Sequence, residues 1–321
     1  FQEFIHDIEK NGEISLVFSH QDSDITQAIF DSEKNTLYYS FHEQRTDVKE
    51  VSLTGVQSKL PQLNSTLVDK SARYSIDGDK LYFSSNRNGD FELYSYHKDS
   101  SLVRKVSSLK ATSIWHYSVS EALNKVAIVY STDHIRLGVL NATSGELINS
   151  IPLDELKFPL GWSKDGKHLY ISEHLSSIAM YLYDAEKLVI KKKRTHLGLT
   201  AYELKTGEII AFDYQSNRFV SYDFHSEQLT HLSDPVEEHL HLSPYNSSTN
   251  GEVAMLLNNN GLYKSVYRLH LSNSPGNRQR TLVANLLVSG NMQAYSPDMT
   301  SLLVVDADKN LNGNIVALQL K

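Results

Sequence analysis

The chain has 321 residues, 40% of them hydrophobic and 21% charged, a net charge of −7 and no cysteine. The missing thiols exclude a disulfide framework and a thiolate metal centre and leave the compartment open. No apolar run is long enough to span a bilayer, and the basic residues form no arm or face able to neutralise many phosphates, so nucleic acid is not expected as a partner of this chain.

At the start, Phe1, Phe4, Ile5 and Ile8 follow the i, i+3, i+4, i+7 spacing of one helix face. This predicts a short amphipathic helix over 1–12, a lead-in or linker that either lies over the next domain or leads out of an upstream segment. Because the first residue is Phe1, the sequence reads as a cut or processed piece, and membrane attachment is expected only through a missing upstream segment. Residues 13–321 read as one domain.

That domain repeats a strand, turn, strand unit. Its clearest copy is Ser75-Ile-Asp-Gly-Asp-Lys-Leu-Tyr-Phe-Ser-Ser-Asn-Arg-Asn-Gly-Asp-Phe-Glu-Leu-Tyr94, with a close partner at Ser163-Lys-Asp-Gly-Lys-His-Leu-Tyr-Ile-Ser172. Looser copies are anchored at Asp31, Ser118, Glu203, Ser243 and Ser296, at spacings of 44, 43, 45, 40, 40 and 53 residues in chain order. A period in the forties with hairpin turns at Asp77-Gly78, Asn88-Gly89 and Asp165-Gly166 marks a radial array of antiparallel sheets. The residues just before the anchors are Phe30, Tyr74, Tyr117, Trp162, Tyr202, Leu242 and Tyr295, six of seven aromatic in a chain that is 10% aromatic. A flat ring at constant phase wedges one twisted sheet against the next, and each ring contributes about 1.5 to 3 kcal/mol when fully buried.

The expected fold is therefore all-β, a seven-bladed β-propeller of four-stranded antiparallel blades. The seventh repeat offers strands only at 292–295, 302–306 and 315–320. The β-like run at 14–19 is expected to supply its missing strand, closing the ring by an N-terminal strand paired with the last blade. The run Lys191-Lys-Lys-Arg194 follows the apolar Leu188-Val-Ile190 and is expected on an outer edge strand, where lysines discourage edge-to-edge pairing.

No Gly-x-Ser-x-Gly elbow, phosphate loop, dinucleotide fingerprint or His-Glu-x-x-His pair occurs. The Ser-x-Asp-Gly turns differ from the Asp boxes of sialidases, which need a residue between Asp and Gly and a following Trp. Fourteen histidines remain, densest at His231, His239 and His241. His239 and His241 would share one face of a strand, but no third ligand is fixed, so no metal and no cofactor are expected. On the repeat alignment Arg73, His116, His239, His241 and Gln293 fall on innermost strands, which line the central channel. They form the candidate ligand-binding set at its mouth. The plainer alternative is that they bond within the channel and to water.

The Ser75 to Tyr94 copy resembles the TolB-type propeller repeat, whose pattern is Ser-Pro-Asp-Gly, a hydrophobic strand, Ser-x-Arg-x-Gly and an aromatic-rich strand. That repeat occurs in TolB, in peptidase propellers, in oligogalacturonate lyases and in the outer domains of membrane-anchored ToxR- and CadC-like transcriptional regulators. With no catalytic motif in hand, the resemblance implies a non-enzymatic periplasmic sensor of an inner-membrane-anchored regulator, binding a protein or small ligand at the propeller face. Its alternatives are a polysaccharide lyase-like enzyme with a channel histidine site and an envelope protein–protein interaction scaffold.

Overall fold

Antiparallel strands make up the computed structural model, which describes every residue except 1, 9–13, 22, 44–45, 54–62, 64–66, 174–177, 205, 237–239, 242–252, 261–262, 288–290, 308–313 and 320–321. Five sheets have four strands each, added in chain order. Blade I is Asp69–Tyr74, Lys80–Asn88, Asp90–His97 and Leu102–Lys105. Blade II is Ser113–Ser120, Lys125–Ser131, Ile135–Asn141 and Leu147–Pro152. Blade III is Lys157–Trp162, His168–Glu173, Ala179–Asp184 and Ile190–Thr195. Blade IV is Leu197–Glu203, Ile209–Asp213, Arg218–Tyr222 and Leu229–His231. Blade V is Leu240–His241, Val253–Asn260, Tyr263–His270 and Arg280–Leu287.

The middle strands explain why this sequence stacks its sheets. Val126, Ala127, Ile128, Val129 and Tyr130 are consecutive and all buried, so both faces of blade II are covered. A strand with only one covered face alternates instead. Tyr82, Phe91 and Leu93 of blade I meet Tyr117, Val126 and Ile128 of blade II. Similar apolar clusters join II to III, III to IV and IV to V. Between blades V and I lies a three-stranded bridging sheet of Asn291–Tyr295, Ser301–Ala307 and Thr46–Ser52. Its Tyr295, Leu302 and Val304 pack on Val266 of blade V, and its Val48, Ala294 and Leu303 pack on Leu81 and Phe83 of blade I.

Three expectations change. Among the described residues there are five four-stranded blades rather than seven. The first repeat forms a separate three-stranded sheet, Ser23–Asp31, Thr36–Glu43 and Asn314–Gln319, and its Phe30 is 50% exposed instead of wedged. The closing pair is also different: Ile14–Gln21 hydrogen-bonds Gln2–Ile8 in a two-stranded sheet, and Thr46–Ser52 is the strand that joins 301–307. Finally Gln2–Ile8 is extended, not helical, because cross-strand pairing with Ile14–Gln21 outweighs a helical spacing only two turns long.

The repeated turns behave as the motif predicts. Ser75 Oγ donates to Asp77 Oδ1 at 2.5 Å and accepts from Lys80 N at 2.9 Å, and Asp77 Oδ1 also accepts from Asp79 N. Ser163 with Asp165 and Ser296 with Asp298 repeat this pattern. The fourth position has positive φ: Gly78 at +80°, Gly166 at +71° and, against the usual preference, Met299 at +59°.

Candidate functional site at the channel wall

The first strands of blades II and III, of blades III and IV, and of the bridging sheet and blade I lie against one another, whereas the last strands end their sheets, which puts the first strands on the inner side. Nearly all of these inner strands slip register once, at the same phase. The slips fall between Lys70 and Arg73, Ile114 and His116, Pro159 and Gly161, Gly198 and Tyr202, and Met292 and Ala294. A bulge leaves its extra residue without a ladder partner and re-aims its side chain, a common arrangement beside binding sites.

In blade II the bulged residue is Trp115. Trp115 is 36% exposed, unlike the buried Tyr117 two residues on. Ser71, at the bulge of blade I with φ of +56°, donates from Oγ to Trp115 O at 3.5 Å. His116 stands against Phe158 of blade III, ring centroids 4.2 Å apart and tilted by 56°. The inner strands of blades II and III therefore carry a partly exposed tryptophan next in sequence to a tilted imidazole–phenyl pair.

The five residues expected at the channel mouth divide. Arg73 is buried; its guanidinium donates to Tyr117 O and lies 4.7 Å from the Tyr117 ring centroid, between blades I and II. His116 is half-buried on Phe158. Gln293 occupies the bulge of the bridging sheet, and His241 pairs with Leu257 in the short inner strand of blade V. His239 lies outside the described residues. Blade V, the bridging sheet, blade I and blade II are successive members of the ring, so His241, Gln293, Arg73 and His116 come from adjacent inner strands. Sequence reasoning missed Trp115 and Phe158. The available signal was that Trp115 sits one residue from His116 on the strand already assigned to the channel.

Two neutralised charge pairs flank this wall where the chain enters the inner strands. In blade I, Arg87 Nη2 donates to both oxygens of Asp69, at 3.2 and 2.9 Å, and the guanidinium lies over the Phe83 and Tyr94 rings. Burial pushes the Asp69 carboxyl above its ordinary range, against the opposing pull of Ser85 and Arg87. In blade III, Lys157 Nζ sits 3.2 Å from Glu173 Oε2 and 4.7 Å from the Tyr181 ring centroid, and Tyr181 donates its hydroxyl to Glu173. A third buried acid, Glu92, accepts from Ser107 Oγ, Leu109 N and Lys110 N and so fixes the loop from blade I into blade II. Among the described residues, no group of three or more His, Asp or Glu is placed to hold a metal ion.

The arrangement is similar to solved propellers. An Agrobacterium tumefaciens protein assigned as TolB superposes with a TM-score of 0.58 at 15% identity, over 82% of this chain and 98% of that one. TolB from Acinetobacter baumannii gives 0.50 at 13% identity, over 80% of this chain, which spans 63% of that protein. An oligogalacturonate lyase in complex with manganese aligns at 0.47 and 10% identity, too distant to bear on chemistry. No protein-family model and no curated protein sequence matches the chain. The likeness is one of fold: a TolB-type β-propeller arrangement.

Proposed function

We propose that this chain is a non-enzymatic protein-interaction scaffold of the cell envelope, holding a partner protein at the channel wall through Trp115 and the His116–Phe158 pair. The observation that carries this reading is the exposed indole on an inner-strand bulge, since a large amphipathic ring left uncovered on a rigid strand is the side chain that protein interfaces use as an anchor. The TolB-type fold supports an interaction module, and a periplasmic location goes with that reading. Among the described residues no helix is long and apolar enough to cross a membrane, so inner-membrane anchoring, and with it a sensor role for a transcriptional regulator, rests on the repeat resemblance alone.

The test is site-specific photo-crosslinking in cells, with a photoreactive phenylalanine analogue placed at position 115 or at the exposed Ile76 on the opposite turn face. A discrete protein adduct is expected from position 115 and not from position 76. No adduct at 115, or the same adduct at both, removes the proposal. Trp115→Ala should leave the melting temperature close to that of the unaltered chain, because a partly exposed ring contributes little to the core.

A further inference from the structure

The outer strand of blade III, Ile190–Thr195, reads Ile-Lys-Lys-Lys-Arg-Thr and ends its sheet, with Ala179–Asp184 on its inner side. Lysines protect an edge when they project across it. Here they fold back. Lys193 Nζ lies 5.0 Å from the Tyr181 ring centroid of its own blade, and Arg194 lies 5.6 Å from the Tyr222 ring centroid of blade IV. Lys192 donates to the carbonyl of Phe224, also in blade IV, and Lys191 pairs with Asp184 at 3.4 Å. The cations are thus laid along the two sheet faces, and the row of outward N–H and C=O groups of this edge lies between them.

Apolar side chains continue the surface. Val189 and Ile190 are 46% and 51% exposed, and Leu147 and Ile148 at the start of the outer strand of blade II are 41% and 55% exposed. Asn149 Nδ2 donates to Glu186 O at 2.8 Å and ties that strand to the turn leading into Val189. Residues 184–196 carry five cations against two carboxylates in a chain of net charge −7, so this rim is locally the opposite sign of the molecule. The outer strands of the other four blades lack the combination: Leu102–Lys105 has two cations, Leu147–Pro152 none, Arg280–Leu287 one, and Leu229–His231 is three residues long.

We propose that the outer edge of blade III is a second interaction surface, which takes an extended acidic segment of a partner protein as an added β-strand. Backbone pairing along 192–195, beyond the register shift at Lys191, supplies the fit. The flanking Lys191 and Lys193 select carboxylates on alternate positions, and the exposed Val189 and Ile190 cover the apolar residues between them.

The probe is a fluorescently labelled synthetic peptide, Glu-Val-Glu-Ile-Glu-Val-Glu, followed by anisotropy. It is compared with its Lys-for-Glu counterpart and with a version N-methylated at every internal amide, which keeps the charge but has no N–H donor left on either edge. The unaltered chain is expected to bind the acidic peptide at least tenfold more tightly than either control, and less tightly as salt rises. Lys191→Glu with Lys193→Glu should reverse the preference between the acidic and basic peptides. Equal binding of the N-methylated peptide overturns strand addition, and equal binding of acidic and basic peptides overturns charge selection. Self-association of the unaltered chain that the double substitution abolishes overturns the assignment to a different partner. If the double variant fails to fold by circular dichroism, the three peptides on the unaltered chain still decide. Trp115→Ala should bind the acidic peptide normally, which separates this surface from the channel wall.

Discussion

Blades I and III carry an ion pair over an aromatic ring at the same place in the repeat, with the charges exchanged. In blade I the acid, Asp69, is on the innermost strand and the cation, Arg87, follows from the second. In blade III the cation, Lys157, is on the innermost strand, and the acid, Glu173, is its cross-strand partner. Both cations rest on rings, Arg87 on Phe83 and Tyr94, Lys157 on Tyr181. What the two blades share there is an acid paired with a cation that lies above a ring, with Glu155 a second carboxylate 3.8 Å from Lys157 in blade III. The fold does not require a particular residue on a particular strand.

If that is right, deleting one member of either pair is the most damaging change, because it leaves a buried charge unmatched. Glu173→Ala should cost about 3 to 5 kcal/mol in urea unfolding, and Asp69→Ala a loss on the same scale. A loss under about 1 kcal/mol for both would break the comparison. The sharper test reverses blade I. Asp69→Lys combined with Arg87→Glu copies the blade III polarity, and should be at least about 1 kcal/mol more stable than Asp69→Lys alone, a coupling that a double-mutant cycle measures directly. Additive effects would show that the two blades are alike only in outline.

The turns on the opposite face offer a milder comparison, since blades I and III share the same serine and aspartate there. Ser75→Ala and Ser163→Ala should each cost about 1 to 2 kcal/mol, as each removes a hydroxyl that both donates to the carboxylate and accepts a backbone N–H. Unequal losses would mean that the turns, like the ion pairs, have diverged.

The smallest expected effect is on pH dependence. The hydroxyls of Ser75 and Ser163, followed by backbone N–H donors, hold the Asp77 and Asp165 carboxyls below the ordinary range. A depressed carboxyl stabilises the fold above its unfolded pKa, and that stability is lost as pH falls through the folded value. Asp69 acts in the opposite direction: its carboxyl is raised by burial, so its ionisation opposes folding as pH rises through the carboxylate range. Melting curves between about pH 3 and 6 should therefore show a shallower acid-side loss in Ser75→Ala with Ser163→Ala than in the unaltered chain. An unchanged slope would show that the hydroxyls contribute nothing to those carboxyls.

The same comparison explains what could be read from the sequence. Where the requirement is local, it was legible: the Ser-x-Asp turns formed, Lys191 to Arg194 lies on an outer strand, and Tyr117 and Tyr295 are buried at the predicted phase. Tyr117 donates to Ser71 O, Trp162 to Ser118 O and Tyr74 to Glu50, each reaching the preceding sheet, as a wedge should. Where the requirement is a match between distant segments, it was not. Asp31 to Tyr39 has the local pattern of a repeat, yet its third strand comes from 314–319, while Thr46–Ser52 pairs with 301–307. Strand propensity is the same whichever partner is chosen, so the number of blades could not follow from the period. Trp115 was hidden for a related reason: a one-residue slip that leaves a residue without a ladder partner has no signature in composition.

The two strands traded between the ends of the chain have a kinetic consequence. Thr46–Ser52 finds its hydrogen-bond partner some 250 residues downstream, and Thr36–Glu43 waits for Asn314–Gln319. Neither early segment can complete its ladder during synthesis until residues 301–319 have emerged. Both stay open meanwhile, so the ribosome-bound intermediate carries bare β-edges over 36–43 and 46–52, and a late step of maturation is a slow, high-contact-order zippering that joins them to 314–319 and 301–307.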